Sequence, residues 1–500
     1  MLAVSMTTSV FFANMAWAFL GVNWLVEGDF RSKWQRMRSS TLLHAFVVLM
    51  LIHLLWLVGN DDVRLGLDDI RQKLPLLVVP LVVLTSKPLT RRQLCGLAGA
   101  YLITVTVVSL IGLVRFLTIP DLPYRQIVPY LSHIRFGLNL CFAICLTLCL
   151  TVYGCARTSH CFWLWLVAVL LMGWYLCFLF LLQSYTALLI LLLLVCALPL
   201  LVRPRSRGLR WTLWCVPVLT VSGMILLTKG MTDSYYGDCR RDADMVENGS
   251  YIYRGVDSLS IAAGWGTLSR QPLDAPTDNG YSTYSTLLRY LNATHRSKDS
   301  VGVATLTPSD LTAIRQGVAN PVYLSHPSLR KMAYMALFEY ENYRCGDYRD
   351  FSMLERLVLW RNAWRVFLQH PWLGVGTGDV SAECGQQLAT DGVIQVDSTK
   401  SAHNQYLIFL VAFGVIGMLL IVFFFVRAVV TTDALHMPLA WAYISIVLLS
   451  FVSENTLGTL AGCLFAVCPL VLLAQWSRPV SQQDNSPEST ECKESISTED

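Results

Sequence analysis

The residue types best suited to chemistry lie where polar sequence meets apolar sequence. The stretch AHNQYLIFLVAFGVIG, 402–417, sets His403, Asn404, Gln405 and Tyr406 directly before a long apolar run. An imidazole with an ordinary pKa near 6.5 can act as a general base at neutral pH. It can equally serve a structural role, and its polar neighbours alone do not decide between the two. Upstream, in MLERLVLWRNAWRVFLQHPWLGVGTGDV (353–380), Arg356, Trp360 and Trp364 recur at i, i+4 and i+8 on one helical face. Arg361 and Arg365 form a second stripe beside it. A guanidinium fork matches phosphate oxygens in two-pronged fashion. The same residues on an interfacial helix could instead meet lipid headgroups.

Three further stretches carry polar groups. GVGTGD, 374–379, has the wrong spacing for a GxGxxG nucleotide loop and follows no strand, so it reads as a turn after a helix ending near His370 and Pro371. SHIRFGL, 132–138, places His133 and Arg135 at the entry of an apolar run, where an arginine must snorkel, pair or serve a site. LLQSYTALL, 181–189, places Gln183, Ser184 and Tyr185 between two apolar runs, and a short polar hairpin is its plainer reading.

The elements that must position these groups follow from composition. Of 500 residues, 54% are hydrophobic and 14% charged, with a mean hydropathy of +0.50. Soluble domains carry roughly 25% charged residues. Apolar runs of about 20 residues recur, each long enough to cross a hydrocarbon core. Unpaired backbone groups are costly in lipid, so these runs predict helices, and no alternating strands suggest a barrel. The class is an all-α polytopic membrane protein. With no dense basic region, nucleic acid is not an expected partner.

Eleven spans are expected, at 5–26, 41–59, 73–86, 93–117, 136–153, 161–182, 185–202, 211–229, 404–427, 437–455 and 458–475. The third is short. A twelfth would be needed to put both termini on one side, because an odd count leaves the N-terminus outside. One set of connections is basic: Arg31, Lys33, Arg36 and Arg38; Lys87, Arg91 and Arg92; Arg157; Arg203, Arg205, Arg207 and Arg210; Arg427; Arg478. The alternate set is acidic or mixed, as in Asp61, Asp62, Asp68 and Asp69 beside Arg64, Arg71 and Lys73. The positive-inside rule makes the basic set cytoplasmic and the 230–403 segment outward-facing. The first run lacks the basic flank and small-residue site of a cleaved signal peptide.

The expected organisation is therefore 1–229 as N-terminal spans, 230–403 as an outward domain, 404–476 as C-terminal spans and 477–500 as a cytoplasmic tail. The tail's Ser and Glu content predicts disorder. The outward segment's first half, rich in Gly, Ser, Thr and Asn, is expected to be loop-like. Its second half predicts helices near 308–318, 326–343 and 351–369, the first capped by Thr307 with Pro308 in its first turn. Most of the 15 cysteines lie in apolar runs as small hydrophobes; Cys239, Cys345 and Cys384 fall in the outward segment, which would allow one disulfide among them.

Taken together, this pattern resembles the O-antigen ligase and O-antigen polymerase superfamily of bacterial envelope enzymes. Members carry a large periplasmic loop between late spans. The loop runs from an Arg-x-x-x-Trp helix through a Pro-x-x-Gly-x-Gly turn to His-Asn-x-Tyr. Here those elements are Arg356 and Trp360, then Pro371, Gly374 and Gly376, then His403, Asn404 and Tyr406. The resemblance implies a GT-C-type glycosyltransferase of the bacterial inner membrane that needs no metal or other cofactor. Its donor would be a glycan on undecaprenyl diphosphate, and a ligase's acceptor would be lipid A–core oligosaccharide. His403 would be the base, and Arg356 would hold the diphosphate. Many members also carry a Ser-Arg pair where this chain has Ser184 and Tyr185, so either Arg135 supplies the missing charge or the phosphate site differs; Arg361 is a further expected contact for the diphosphate. Tyr185 could supply only a neutral hydrogen bond.

Other readings stay open at this point. A polymerase joining two lipid-linked repeats shares the donor, base and cation, and a protein O-oligosaccharyltransferase is a third form of the same chemistry. A transporter would place ionisable groups deep in its spans and break helices in pairs, whereas these spans are nearly charge-free at their centres.

Overall fold

The computed structural model describes residues 1–120, 122–155, 161–201, 207–239, 244–324, 328–345, 354–392, 402–433 and 437–476. The tail 477–500 and four residues of the basic connections (Arg157, Arg203, Arg205 and Arg478) lie outside the described residues. The fold is all-α, as the composition requires. Helices occupy each of the eleven expected ranges. Five of them, Arg91–Thr118, His133–Cys155, Cys161–Leu181, Trp214–Tyr236 and Gln405–Thr431, are long and apolar enough to cross a membrane. Four shorter apolar helices accompany them: Thr41–Leu55, Tyr185–Ala197, Pro438–Ser453 and Leu460–Trp476. The first expected span is divided at Ser9, whose extended backbone separates Leu2–Thr8 from Val10–Val26. The short third run folds as Pro75–Thr85, directly after a helix the sequence had not suggested, Val63–Lys73. That helix is amphipathic and starts on the Asp62 side chain, which accepts from the Leu65 amide.

Two compact units result. One comprises 1–214 with 358–500, the other 215–357. In the first, side chains such as Leu43, Phe136, Leu140, Tyr175, Phe413, Tyr443 and Cys463 are almost wholly removed from solvent and form one continuous core. Cys155 and Cys161 are disulfide-bonded across the connection between their two helices. The sequence had suggested instead a bridge among Cys239, Cys345 and Cys384. The Cys384 thiol is free and packed beside Phe367, and burial pushes it up to about 11. The Cys239 thiol donates to the Gly249 carbonyl at 3.2 Å.

The second unit corrects the expectation of a loop-like first half. Helices Ser258–Leu268, Thr283–Ala293 and Ser300–Ala304 occur there. Their starts are fixed by Asp257, Ser282 and Asp299, each accepting a backbone amide three residues on. The small polar residues that had suggested loop are thus partly caps, and Ile261, Trp265, Leu287, Leu291, Val303 and Ile314 between them form the core. The predicted helices are Pro308–Arg315, Leu329–Arg344 and Leu354–Gln369, and Thr307 with Asp310 closes a reciprocal capping box on the first. Glu247 lies fully buried at a two-residue antiparallel hairpin turning through Asn248 and Gly249. Arg289 grips its carboxylate with two bonds of 2.9 and 3.1 Å, and Asn320 and Tyr323 complete the shell. Desolvation alone would weaken the Arg289 charge, but Glu247 outweighs it and holds the guanidinium protonated.

Candidate functional site

The late helix Gln405–Thr431 begins where the sequence placed its boundary. Asn404 is its cap, accepting from the Leu407 amide at 3.1 Å. Ala402, Asn404 and Gln405 are buried around a half-buried His403. His403 itself adopts φ +48°, in the left-handed region. That conformation costs a non-glycine residue about 1 kcal/mol, and such strain clusters where a side chain must be aimed. Gln183, in the hairpin before Tyr185, does the same at φ +49°. Tyr406 donates to the Leu448 carbonyl at 2.9 Å and stands edge-on to Phe451, which locks the first turn of the late helix against Pro438–Ser453.

The late helix is not continuous. At Gly414, φ +62° and ψ −168° break it. Nine residues of helical rise, ~14 Å, separate this break from the helix start. Breaking a helix at that depth frees carbonyls and amides that lipid cannot satisfy. The 371–376 stretch satisfies them. Val375 and Gly376 donate to the Val411 and Ala412 carbonyls at 2.8 and 2.9 Å, and Val415 and Ile416 donate to Pro371 and Trp372 at 2.8 and 3.2 Å. The approach is so close that a Cβ on Gly374 or Gly414 would fall within 3.0 Å of the facing backbone. The stretch then continues to Thr377, whose amide donates to Trp56 O at 3.1 Å. Asp379 accepts the Asp61 and Asp62 amides at 2.9 and 3.0 Å. GVGTGD is therefore a turn, as its spacing indicated, and its glycines serve chain-to-chain contact.

Leu354–Gln369 runs into this stretch. Trp360, Ala363, Val366 and Phe367 share an apolar cluster with Ala402, Leu407, Ile408 and Val411, so the helix packs with the start of the late helix through these residues, while Trp364 is exposed. The indole nitrogen of Trp360 is buried with no hydrogen-bond partner among the described residues. Arg356 lies one turn before Trp360, half-buried. Arg361 is exposed, and Arg365 pairs with Asp391.

Arg135 is buried, 9% exposed. Its two Nη atoms donate to the carbonyls of Thr456 and Asn455 at 2.7 and 2.9 Å. Gln405 reaches the same turn from another side, its Oε1 accepting from the Leu457 amide at 2.9 Å. Gly462 permits this, because a Cβ there would overlap both the Arg135 guanidinium and Thr456 O. The 454–458 turn thus joins Arg135 to the residue two beyond His403. Ser184, before Tyr185, has a buried hydroxyl with no partner, and Tyr185 opens the next helix, half-buried.

Sequence reasoning passed over several of these groups. Glu454 is buried at the same turn, in SENTLGTL, which the hydropathy pattern showed only as a short gap between two spans. Lys73 is buried and paired with Asp69, and His53 is buried in Thr41–Leu55 with its Nδ1 2.8 Å from Leu49 O. The available signal was an acid, Glu454, between two apolar runs, and a charged helix, Val63–Lys73, running straight into another.

A family model described as O-antigen ligase matches residues 167–422, just over half of the chain. The match takes in the Gln183–Tyr185 hairpin, Arg356, the 371–376 stretch and His403 through Tyr406. No curated protein matches the chain.

Proposed function

The chain belongs to the O-antigen ligase family of membrane glycosyltransferases, and from that premise we propose that it transfers a glycan from undecaprenyl diphosphate to lipid A–core oligosaccharide. The transfer takes place at the periplasmic face of the bacterial inner membrane. A lipid-linked diphosphate keeps its charge at headgroup depth and its polyprenyl tail among helices, so the reacting bond lies at helix mouths. In this reading His403 takes the proton from the acceptor hydroxyl. Arg356 holds the diphosphate and offsets the charge that develops on it as it leaves. In-line attack inverts the anomeric carbon, and no metal takes part. Arg135, with both Nη atoms on the 454–458 turn, is a positioning residue. Asn404 and Tyr406 fix the helix start that aims His403, Trp360 anchors the Arg356 helix, and Arg361 and Tyr185 are left as outer contacts for the anion.

The observation that carries the reading is the state of His403. It is held in a strained left-handed conformation between buried neighbours, in a motif the family match covers. His403→Ala and Arg356→Ala should each abolish transfer without preventing membrane insertion, and normal glycan attachment by either variant would remove the role given to that residue. Deleting the gene separates ligase from polymerase. Long glycan accumulating on the polyprenyl carrier marks lost ligation, whereas core bearing a single repeat marks lost polymerisation.

A further inference from the structure

Arg91–Thr118 begins in a Thr90–Gln93 capping box beside the basic pair Arg91 and Arg92, so its far end is the outer end on the positive-inside reading. Arg115 lies three residues before that end. Between it and the start of His133–Cys155 there is an open cavity of about 460 Å³, lined by Arg115, Arg125, Gln126, Tyr130 and Ser132 with Val128 and Leu131. Binding pockets for small groups fall in this size range. Its polar lining is cationic, with no carboxylate among the described lining residues. Arg115 donates one weak bond from Nη2 to the Gln126 carbonyl, 3.3 Å, and its buried Nε has no partner among the described residues. Arg125 rests over the Tyr124 ring, 5.6 Å from its centroid, with its Nε 3.2 Å from the Tyr124 hydroxyl. Tyr124 in turn stands edge-on to His133. Two guanidinium groups with donors to spare, at a membrane-interface depth, suit a phosphate oxyanion.

We propose that this cavity binds a phosphate monoester carried on the acceptor glycolipid. The inference rests on the transfer reaction above and adds to it. Transfer between two lipid-anchored substrates needs both headgroups held at one depth. The donor's diphosphate is assigned to Arg356, so a second cationic anchor is needed for the other lipid. Arg115 and Arg125 supply it, outside the residues that do chemistry.

The test uses the full chain in phosphatidylethanolamine vesicles, with lipid A–core acceptor used intact or after phosphatase treatment. For Arg115→Gln/Arg125→Gln, the KM for intact acceptor should rise about tenfold or more, the worth of lost charge-assisted bonds, with kcat and the donor KM unchanged. Wild-type protein given dephosphorylated acceptor should show the same rise, and the double variant no further one. Arg115→Lys should lie between, and unfolding midpoints should match wild type. An unchanged acceptor KM overturns the proposal. So does an equal penalty with dephosphorylated acceptor, a rise in donor KM instead, or loss of the effect when anionic phosphatidylglycerol replaces a third of the vesicle lipid. Retention of intact over dephosphorylated acceptor by the protein in native mass spectrometry reads the cavity without turnover. Retention with no transfer would therefore refute the reaction and spare the cavity, and transfer with no phosphate-dependent retention would do the reverse.

Discussion

Gly374→Ala tests whether the 371–376 stretch is a built part of the late helix. Gly374 has φ +70° and faces the Val411 and Ala412 carbonyls closer than a Cβ can approach. Gly392 has a matching φ of +69° and nothing among the described residues within 4 Å of its Cβ position. An alanine at either site carries the same left-handed penalty, about 1 kcal/mol. Only at 374 must the stretch lift away. That breaks the bonds from Val375 and Gly376 to Val411 and Ala412, each worth about 1 kcal/mol net, and leaves buried carbonyls unpaired at roughly 1–3 kcal/mol each. The excess of Gly374→Ala over Gly392→Ala is therefore about 4–8 kcal/mol. At roughly 2–4 °C per kcal/mol for units of this size, the unfolding midpoint, read by tryptophan fluorescence in detergent, should fall by ~8 °C or more beyond the control. Transfer should fall with it. Equal midpoints for the two variants would refute the reasoning, because then the close approach carries no energy.

Three further outcomes follow from the same geometry. Arg135→Gln and Gly462→Ala should each loosen the 454–458 turn, lowering transfer and the unfolding midpoint together, while Arg135→Lys fails to rescue because one ammonium cannot replace a fork on two carbonyls; a Lys variant with normal activity contradicts this. Glu247→Gln leaves Arg289, whose side chain is 16% exposed, without its counter-charge and should destabilise the 215–357 unit by ~3–5 kcal/mol, seen as protease cutting within that unit at temperatures where wild type resists. Partial burial would raise the Asp310 carboxyl, but bonds from Tyr290, Thr307 and Arg296 win and hold it at about 2. Its folded value is depressed, so its stabilisation is present above the ordinary carboxylate value near 4 and is lost as pH falls from there through about 2. Asp310→Asn should flatten acid unfolding in that window, and an unaltered profile would exclude the contribution.

Much of this was legible in the sequence, for reasons specific to membranes. Span positions followed from hydropathy, because lipid leaves a long apolar run no fold but helix. The cap at Thr307 was visible because a side-chain acceptor at a helix start works locally. What escaped were long-range contacts. The break at Gly414 looked like one more small residue in an apolar run, because its partners, 371–376, are some forty residues away in the chain. Arg135 announced itself as a charge at a helix mouth, but nothing local could show that Asn455 and Thr456 take both its Nη atoms. Gln405 reaches the 454–458 turn through the Leu457 amide, a contact no spacing announces. The polar first half of the 230–403 segment misled because serine and aspartate serve loops and helix caps alike.

The most direct test of the central claim is single-turnover transfer by His403→Ala protein in vesicles, with purified undecaprenyl-diphosphate-linked glycan, lipid A–core acceptor and a metal chelator present. A positioned base contributes about 10²–10⁴ in rate, so the variant should transfer at least ~100-fold more slowly than wild type while still binding donor. Transfer at the wild-type rate would contradict the account.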